Sequence, residues 1–388
     1  MINFYKGVSE DCISELPDQI LVCVLSHLTV REALATSVLS RRWRYLWAYS
    51  TRLDFDSKNA LGKLIINQST ERPRYVEWVD RFVECVDHVL GEYEVPTLDE
   101  FKISFDLDQR STESINSWVE FAMTRPVQRL EMDLLGIRPY HYFQNLYYKQ
   151  SCGCSPKQFS LNLPRICPPT SLGFKFLKDF YLKNVSITTE VLEYFLANCP
   201  NLERLSVFGS RHLVKLRVSG SYPSLKHLEV VSCINLQSME ICDTNLISFK
   251  YVKMNMILKN VPLLVDVYIG VGSSMYVANI LHQLSCCFSQ LQVLTLQLCD
   301  PITPLWLVFT VLMCLFFLSI PYVVILFTLV LFLFLQFDEE VGLFPQSKNL
   351  KKLVVEVRAQ NFDELLELTP LIIACPYLQI LVLKVGVY

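Results

Sequence analysis

The side chains able to do chemistry are scattered through this sequence instead of gathered. Six histidines (His27, His88, His141, His212, His227 and His282) stand far apart, and none falls in an HExxH or other ligand spacing. Cys152-Gly153-Cys154 is a lone CxC without a second pair, which reads as a loop in preference to a zinc site. There is no GxGxxG turn, no phosphate-binding loop and no GxSxG elbow. Asp106 and Asp108 belong to a strand end and read as solvated. Arg41, Arg42 and Arg44 crowd one turn, which suits a solvated face or the rim of a contact with an acidic partner better than a nucleic-acid surface. The formal charge of −3 and a pI near 6.1 supply no broad basic field for nucleic acid either. A non-catalytic protein is expected, with no cofactor and no metal.

The 388 residues suffice for one large domain or two ordinary ones, and 52% of them are hydrophobic against 19% charged. Fourteen cysteines are spread singly over strand-like and helix-end positions such as Cys23, Cys85, Cys199, Cys233, Cys242, Cys299 and Cys375, where a thiol acts as a small apolar group. Met1 to Ile13 lacks an apolar core long enough for a signal peptide. A reducing compartment, cytoplasmic and/or nuclear, is the expected location.

The elements begin with a helical module. Ile13 to Asp18 reads as a loop entering a helix, with Ser14 and Asp18 as capping residues. From Gln19, the apolar positions Ile20, Leu21, Val24, Leu25 and Leu28 keep helical spacing and form a wide stripe. A second helix is predicted from Thr29-Val30-Arg31-Glu32-Ala33, and a basic, aromatic third over Ser40 to Trp47. Short helices of this size do not bury their stripes against one another alone, so the apolar surface left over predicts a docking face.

The run from Leu16 to Leu28, LPDQILVCVLSHL, followed by Thr36 to Trp47, TSVLSRRWRYLW, closely resembles the F-box of plant F-box/LRR proteins (the F-box/FBD/LRR-like group). That resemblance implies docking onto a Skp-type adaptor and, through it, a cullin. Leu16, Pro17, Ile20, Leu21, Leu25 and Leu28 would pack in the adaptor groove. Leu39, Trp43, Leu46 and Trp47 would complete the contact or the module's own core. The protein would then be the substrate-recognition subunit of a ubiquitin ligase, binding an unidentified target protein and no nucleic acid. The alternatives are an F-box protein without a ligase role and a membrane-anchored repeat protein.

Helical spacing returns over Tyr75 to Leu90 and Ser114 to Met123, alternating with strand-like pieces at Glu100 to Leu107 and Gln128 to Leu134. After residue 170 a register appears: leucine, two residues, apolar, one residue, apolar. It starts at Leu177, Leu202, Leu225, Leu246, Leu264, Leu291, Leu350 and Leu378, with steps of 25, 23, 21, 18, 27, 59 and 28 residues. All but two of the steps fit leucine-rich repeats. Extra copies at Leu213-Leu216-Val218 and Leu236-Met239-Ile241 predict that some return arms are extended. A helical return arm is predicted from Thr189 to Ala197, stopped by Cys199-Pro200. Candidate target-facing positions are Glu203, Arg204, Ser206, Lys226, His227 and Glu229. The repeats resemble the same family, in which a further C-terminal domain often follows. The chain ends at Tyr388, so that domain is expected to be absent or truncated, leaving the last coil exposed.

From Pro301 to Phe337 there is no charge, and Leu305 to Leu335 is almost continuously apolar, long enough for a membrane-spanning helix. Three facts oppose that reading. Removing the 37 residues 301–337 returns the step of 59 to a normal 22. Lys348, Lys351 and Lys352 would hold the C-terminal side in the cytosol, placing the N-terminal module in the lumen. The composition, mostly Phe, Leu and Val and ending in Leu-Gln, is that of a translated pyrimidine tract and splice acceptor. A translated intron, a membrane span and a buried helix are the three readings. The expected fold is α/β: a tail (1–9), a three-helix F-box module (10–55), a linker helix with irregular first repeats (56–170), and an irregular leucine-rich-repeat solenoid (171–300 and 338–388) interrupted by the apolar insertion (301–337).

Overall fold

Backbone groups left over at helix starts decide where the N-terminal helices begin. In the computed structural model, helix α1 (Asp18–Leu25) opens after Pro17, which holds an extended conformation and whose missing N–H costs nothing there. Asp18 does not cap it. It is the first helical residue, where its charge suits the helix N-terminus, and its Oδ1 accepts from Arg42 Nε at 2.7 Å. Helix α2 (Val30–Ala35) carries a full capping box: Thr29 Oγ1 accepts from Glu32 N, and Glu32 Oε2 accepts from Thr29 N at 3.0 Å. Donation to Glu32 Oε2 from Thr29 N, and from Thr29 Oγ1 at 2.9 Å, holds the Glu32 carboxyl below its ordinary range. The third helical segment is wound as 3-10 over Trp43–Tyr49. That tight winding sets Trp43 above Leu46, and both turn inward with Trp47.

The structure describes residues 13, 15–56, 72–107, 109–134, 159–161, 168, 170–220, 222, 224–252, 256–271, 282–298, 347–357, 371–372 and 374–385. Ser14, Cys152, Cys154, Asp108 and the insertion 301–337 lie outside them. The chain divides into two compact units, Met1–Leu202 and Glu203–Tyr388.

In the first unit, β1 (Arg52–Asp56), β2 (Glu100–Ser104), β3 (Arg129–Asp133) and β4 (Asp179–Lys183) pair in parallel, in chain order. Parallel neighbours need a return segment. Helices α3 (Arg72–Gly91), α4 (Thr112–Met123) and α5 (Leu172–Phe176) lie in those returns, and α6 (Thr189–Asn198) follows β4. Among the described residues the row of parallel strands begins at β1, at the border of the region read as a linker helix with irregular first repeats (56–170). Leu53, Phe101, Leu130 and Phe180 stand in register on the inner face, each at most 1% exposed. Each such burial stabilises by about 1.5–3 kcal/mol. Phe82 of α3 stacks on Phe105 at 4.2 Å, and Phe195 of α6 packs on Phe180 at 4.1 Å. A Cβ on Gly173 would come within 2.8 Å of the Met123 Cα, so only glycine lets α5 press against the end of α4.

In the second unit the strands are β5 (Arg204–Phe208), β6 (Lys215–Ser219), β7 (His227–Val231), β8 (Ser238–Cys242), β9 (Ser248–Val252), β10 (Met256–Lys259), β11 (Asp266–Val271), β12 (Val293–Leu298), β13 (Lys352–Val357) and β14 (Ile380–Val385). They sort into two parallel sheets, β5-β7-β9-β11-β12-β13-β14 and β10-β8-β6. The second sheet is the extended return arm that the extra register copies predict, with Leu216 opposite Met239 and Val218 opposite Ile241. Leu205, Leu228, Phe249, Val267, Leu294 and Leu353 form one inner row, none more than 1% exposed. At β14, the last strand of the row, Leu381 and Leu383 occupy the same inner positions yet are 43% and 48% exposed.

Two devices recur from coil to coil. The residue just after a strand takes a left-handed conformation: Asn184 (φ 57), Gly209 (φ 70), Ser232 (φ 56), Asp243 (φ 56) and Asn260 (φ 48). Asn, Asp and Gly visit that region most readily, which turns the chain sharply out of each strand. Ahead of the strands, an Asn-Leu pair stitches one coil to the one before. Asn201, Asn235 and Asn349 each donate through Nδ2, at 2.7 Å, to the carbonyls of Lys175, Arg211 and Ser289 respectively.

Candidate docking site

The wide stripe of α1 splits into two faces once folded. Leu21 (0% exposed) and Leu25 (1%) point into the module, where they meet Trp43, Leu46 and Trp47. Leu21 and Leu25, expected in a partner's groove, are thus buried within this chain and offer almost no surface of their own. Leu16 and Leu28 are half-buried, and Pro17 is exposed. Of the expected contact residues, Ile20 and Leu39 offer the most apolar surface, at 48% and 65% exposed. Val24 (49%), part of the apolar stripe though not of the expected groove residues, is exposed with them, and so are Val38 (87%), Tyr45 (65%) and Tyr49 (57%), which the stripe did not include. Apolar groups this exposed on a small module mark a contact surface.

The three arginines divide their roles. Arg42 ties the entry of α1 to the third helical segment, pairing with Asp18 at 2.6 Å and donating to the Leu16 carbonyl. Arg41 and Arg44 remain exposed beside the apolar residues, placed to meet an acidic partner. The module joins the first coil through Ser50 and Thr51. Tyr93 donates its hydroxyl proton to the Ser50 carbonyl at 2.8 Å, and the Thr51 carbonyl accepts from Asp99 N at 2.7 Å. Burial pushes the Tyr93 hydroxyl up to about 12, so it stays a donor across the physiological range.

The outer faces of the strands differ between the units. In the first, cross-strand ion pairs close the surface: Arg52 with Glu100 at 2.6 Å, Arg129 with Glu100 at 3.5 Å, Lys102 with Asp54 at 3.8 Å and Lys183 with Asp133 at 2.6 Å. In the second, Lys250 lies between the Phe208 and Tyr268 rings, 5.9 and 4.7 Å from their centroids. Around it, Ser206 and Glu229 are half-buried and Arg204 is exposed. His227 shares a hydrogen bond with Ser248 at 2.7 Å, and Lys226 pairs with Glu203 at 3.1 Å.

Among the described residues no group of three His, Cys, Asp or Glu side chains is arranged to hold a metal ion. The described cysteines are free thiols, and burial pushes Cys199 up to about 12 and Cys375 to about 11, far from a reactive thiolate. No described helix is long and apolar enough to cross a membrane.

A small helical module with exposed apolar residues, followed by parallel strand-and-return coils, makes a two-part architecture of helical head and repeat body. Comparison with known families places that architecture. The F-box domain model matches residues 13–54, and the model described as At1g61320/AtMIF1, LRR domain, matches residues 94–387. Three relatives are from Arabidopsis thaliana. F-box/LRR-repeat protein At3g03360 is 32% identical over 58% of this chain and 44% of its own length. FBD-associated F-box protein At4g10400 is 30% identical over 67% of this chain and 61% of its own length. F-box protein At4g09920 is 30% identical over 68% and 82%. The chain belongs to the F-box/LRR-repeat family of plants, and it spans 44% and 61% of the length of the first two of these relatives and 82% of the third.

Proposed function

We propose that this chain is the substrate-recognition subunit of an SCF-type ubiquitin ligase, and not itself an enzyme. Its F-box docks a Skp-type adaptor that bridges to a cullin, and its repeats hold a target protein while other subunits transfer ubiquitin. The observation that carries this reading is the exposed apolar surface of Pro17, Ile20 and Val24 on α1 and its entry, together with Val38 and Leu39, on a module matching the F-box family model. Leu21, Leu25, Trp43, Leu46 and Trp47 support that face from beneath, and Leu16 and Leu28 flank it. The target surface assigned here is the outer strand face of the second unit around Lys250, because the charges of the first unit's face already satisfy one another. A cytoplasmic and/or nuclear location follows from the adaptor's.

The test uses the exposed residues, because charging a core leucine would unfold the module. Ile20→Asp with Val24→Asp buries two unpaired carboxylates in the contact. At about 2 kcal/mol each or more, this lowers adaptor binding over ~100-fold. Co-precipitation of the full chain with the adaptor and cullin, beside a circular-dichroism spectrum matching the wild type, is the measurement. Undiminished binding with intact helicity sinks the docking face. Adaptor binding without cullin recruitment favours an F-box protein with no ligase role.

A further inference from the structure

Every second side chain of a parallel strand in this row points away from the core. In the first unit the outward residues that close β1 to β4 are polar: Asp56, Ser104, Asp133 and Lys183. The matching places on β5, β7 and β9 of the second unit hold Phe208, Val231 and Val252, each half-buried. Apolar groups in a row on an outer sheet face mark a surface that another molecule covers. Lys250 projects from β9 on that face, with its Nζ 5.9 Å from the Phe208 ring centroid and 4.7 Å from that of Tyr268 on β11. The rings attract the ammonium through their π faces, yet no described residue gives it an ion pair or a hydrogen bond. The acids nearby do not supply one. Glu356 accepts from Lys384 at 2.9 Å and from the Tyr268 hydroxyl at 3.3 Å. Asp266 answers to Lys352 and His227, and Glu229, opposite Lys250 in register, closes no ion pair with it. A half-buried cation whose N–H donors are unanswered gains more from an incoming carboxylate than a fully solvated lysine does.

The geometry points to Lys250 and the apolar shelf beside it as the recognition point for an aspartate or glutamate side chain in an extended segment of the target protein, flanked there by apolar side chains. This names the chemistry of the target surface assigned to the outer strand face of the second unit, and it rests on that assignment. The carboxylate pairs with Lys250 while its apolar neighbours cover Phe208, Val231 and Val252. Glu229 narrows the choice of anion. One cation with a carboxylate beside it suits a singly charged group. A phosphate dianion or a nucleic-acid backbone, which needs several cations, meets a repelling charge there.

The test presents a random peptide library displayed on phage to the full chain, to its Lys250→Glu form and to its Lys250→Met form. The wild type enriches peptides that carry Asp or Glu next to aliphatic or aromatic residues. Lys250→Glu enriches Lys or Arg at that place instead, and Lys250→Met keeps the apolar preference without the acidic one. The best wild-type peptide, resynthesised and titrated calorimetrically, binds the Lys250→Met form roughly tenfold or more weakly. No acidic enrichment with the wild type, or the same enrichment with Lys250→Glu, overturns the assignment. A phosphoserine peptide or oligouridylate that binds more tightly than the selected peptide, and loses affinity in Lys250→Met, also overturns it. Adaptor co-precipitation does not depend on Lys250 and is unchanged in both variants, so failure of this recognition chemistry and failure of the ligase reading are separate results.

Discussion

Asp54 sits on β1 with an Oδ1 that is buried and lacks a hydrogen-bond partner. Desolvation raises its carboxyl above the ordinary range; Lys102, at 3.8 Å, pulls the other way, while Asp56, Glu100 and Glu131 add to the rise. Burial alone would lower the Lys102 amine, but the same four carboxylates raise it overall. One ammonium thus serves several acids, and Asp54 is the one left short. Because its folded-state pKa lies above the unfolded value, folding takes up a proton there. The group costs stability at neutral pH, and that cost is relieved as pH falls through the folded pKa toward the unfolded one. Asp54→Asn is therefore expected to raise the melting temperature at pH 7, by the equivalent of under about 1 kcal/mol, with the gain vanishing near pH 4. Melting curves of both proteins across that range check it; a loss at pH 7 shows that the Lys102 pair outweighs the desolvation. None of this was legible in the sequence. Asp54, Lys102 and Glu131 lie dozens of residues apart, and only the strand register makes them neighbours. The stripe of α1 was legible as apolar, but the side facing the partner was not. Ile20 and Leu21 are adjacent and similar, and only packing on Trp43, Leu46 and Trp47 separates the exposed one from the buried one.

Elements of this protein are held in sequence by local chemistry that repeats, and that chemistry could be read in advance to different depths. The leucine register located the strands because period-two burial writes itself directly into the residue order. Its intermediate copies also announced the second sheet of β6, β8 and β10. The Asn-Leu pairs at Asn201, Asn235, Asn245 and Asn349 were equally visible, but their purpose depends on a carbonyl one coil earlier that no spacing rule names. Asn235 Nδ2 reaches the Arg211 carbonyl at 2.7 Å. Asn235→Asp keeps the shape and removes the donor, setting a carboxylate against that carbonyl. The bond is exposed, so the expected loss is about 0.5–1.5 kcal/mol, read as a lower melting temperature of the second unit, with hydrogen exchange rising first in β6 and β8. Exchange unchanged in those strands would mean that water replaces the amide without cost. Gly209 and Ser232 make a matching pair at the strand exits. Gly suits its φ of 70°, while Ser232 at 56° holds a conformation costing a side chain about 1–2 kcal/mol.

Across the whole chain, the informative anomaly is a step that does not fit. From Leu294 on β12 to the register partner Leu353 on β13 is 59 residues, whereas Val267 to Leu294 spans 27 and Leu353 to Leu381 spans 28. Yet β12 and β13 pair directly over their full length, from Val293 opposite Lys352 to Leu298 opposite Val357. Asn349 donates to the Ser289 carbonyl at 2.7 Å, the same coil-to-coil stitch found in uninterrupted repeats. The strand pairing at this step is thus that of ordinary neighbours, and the reading of 301–337 as excess chain rests on the spacing arithmetic, those residues lying outside the described ones. Excision of residues 301–337, joining Asp300 to Asp338, is expected to leave β12–β13 pairing and adaptor binding intact and to raise the yield of soluble protein. Removing an uncharged stretch of 37 residues takes away the largest apolar liability in the chain. The transcript gives an independent reading, in which an abundant message joins the codons around Asp300 directly to those around Asp338. If only the longer message exists and the protein fractionates with membranes, the segment is an anchor. In that case the excised form should leave the membrane fraction, while keeping every contact of the repeat row from β5 to β14.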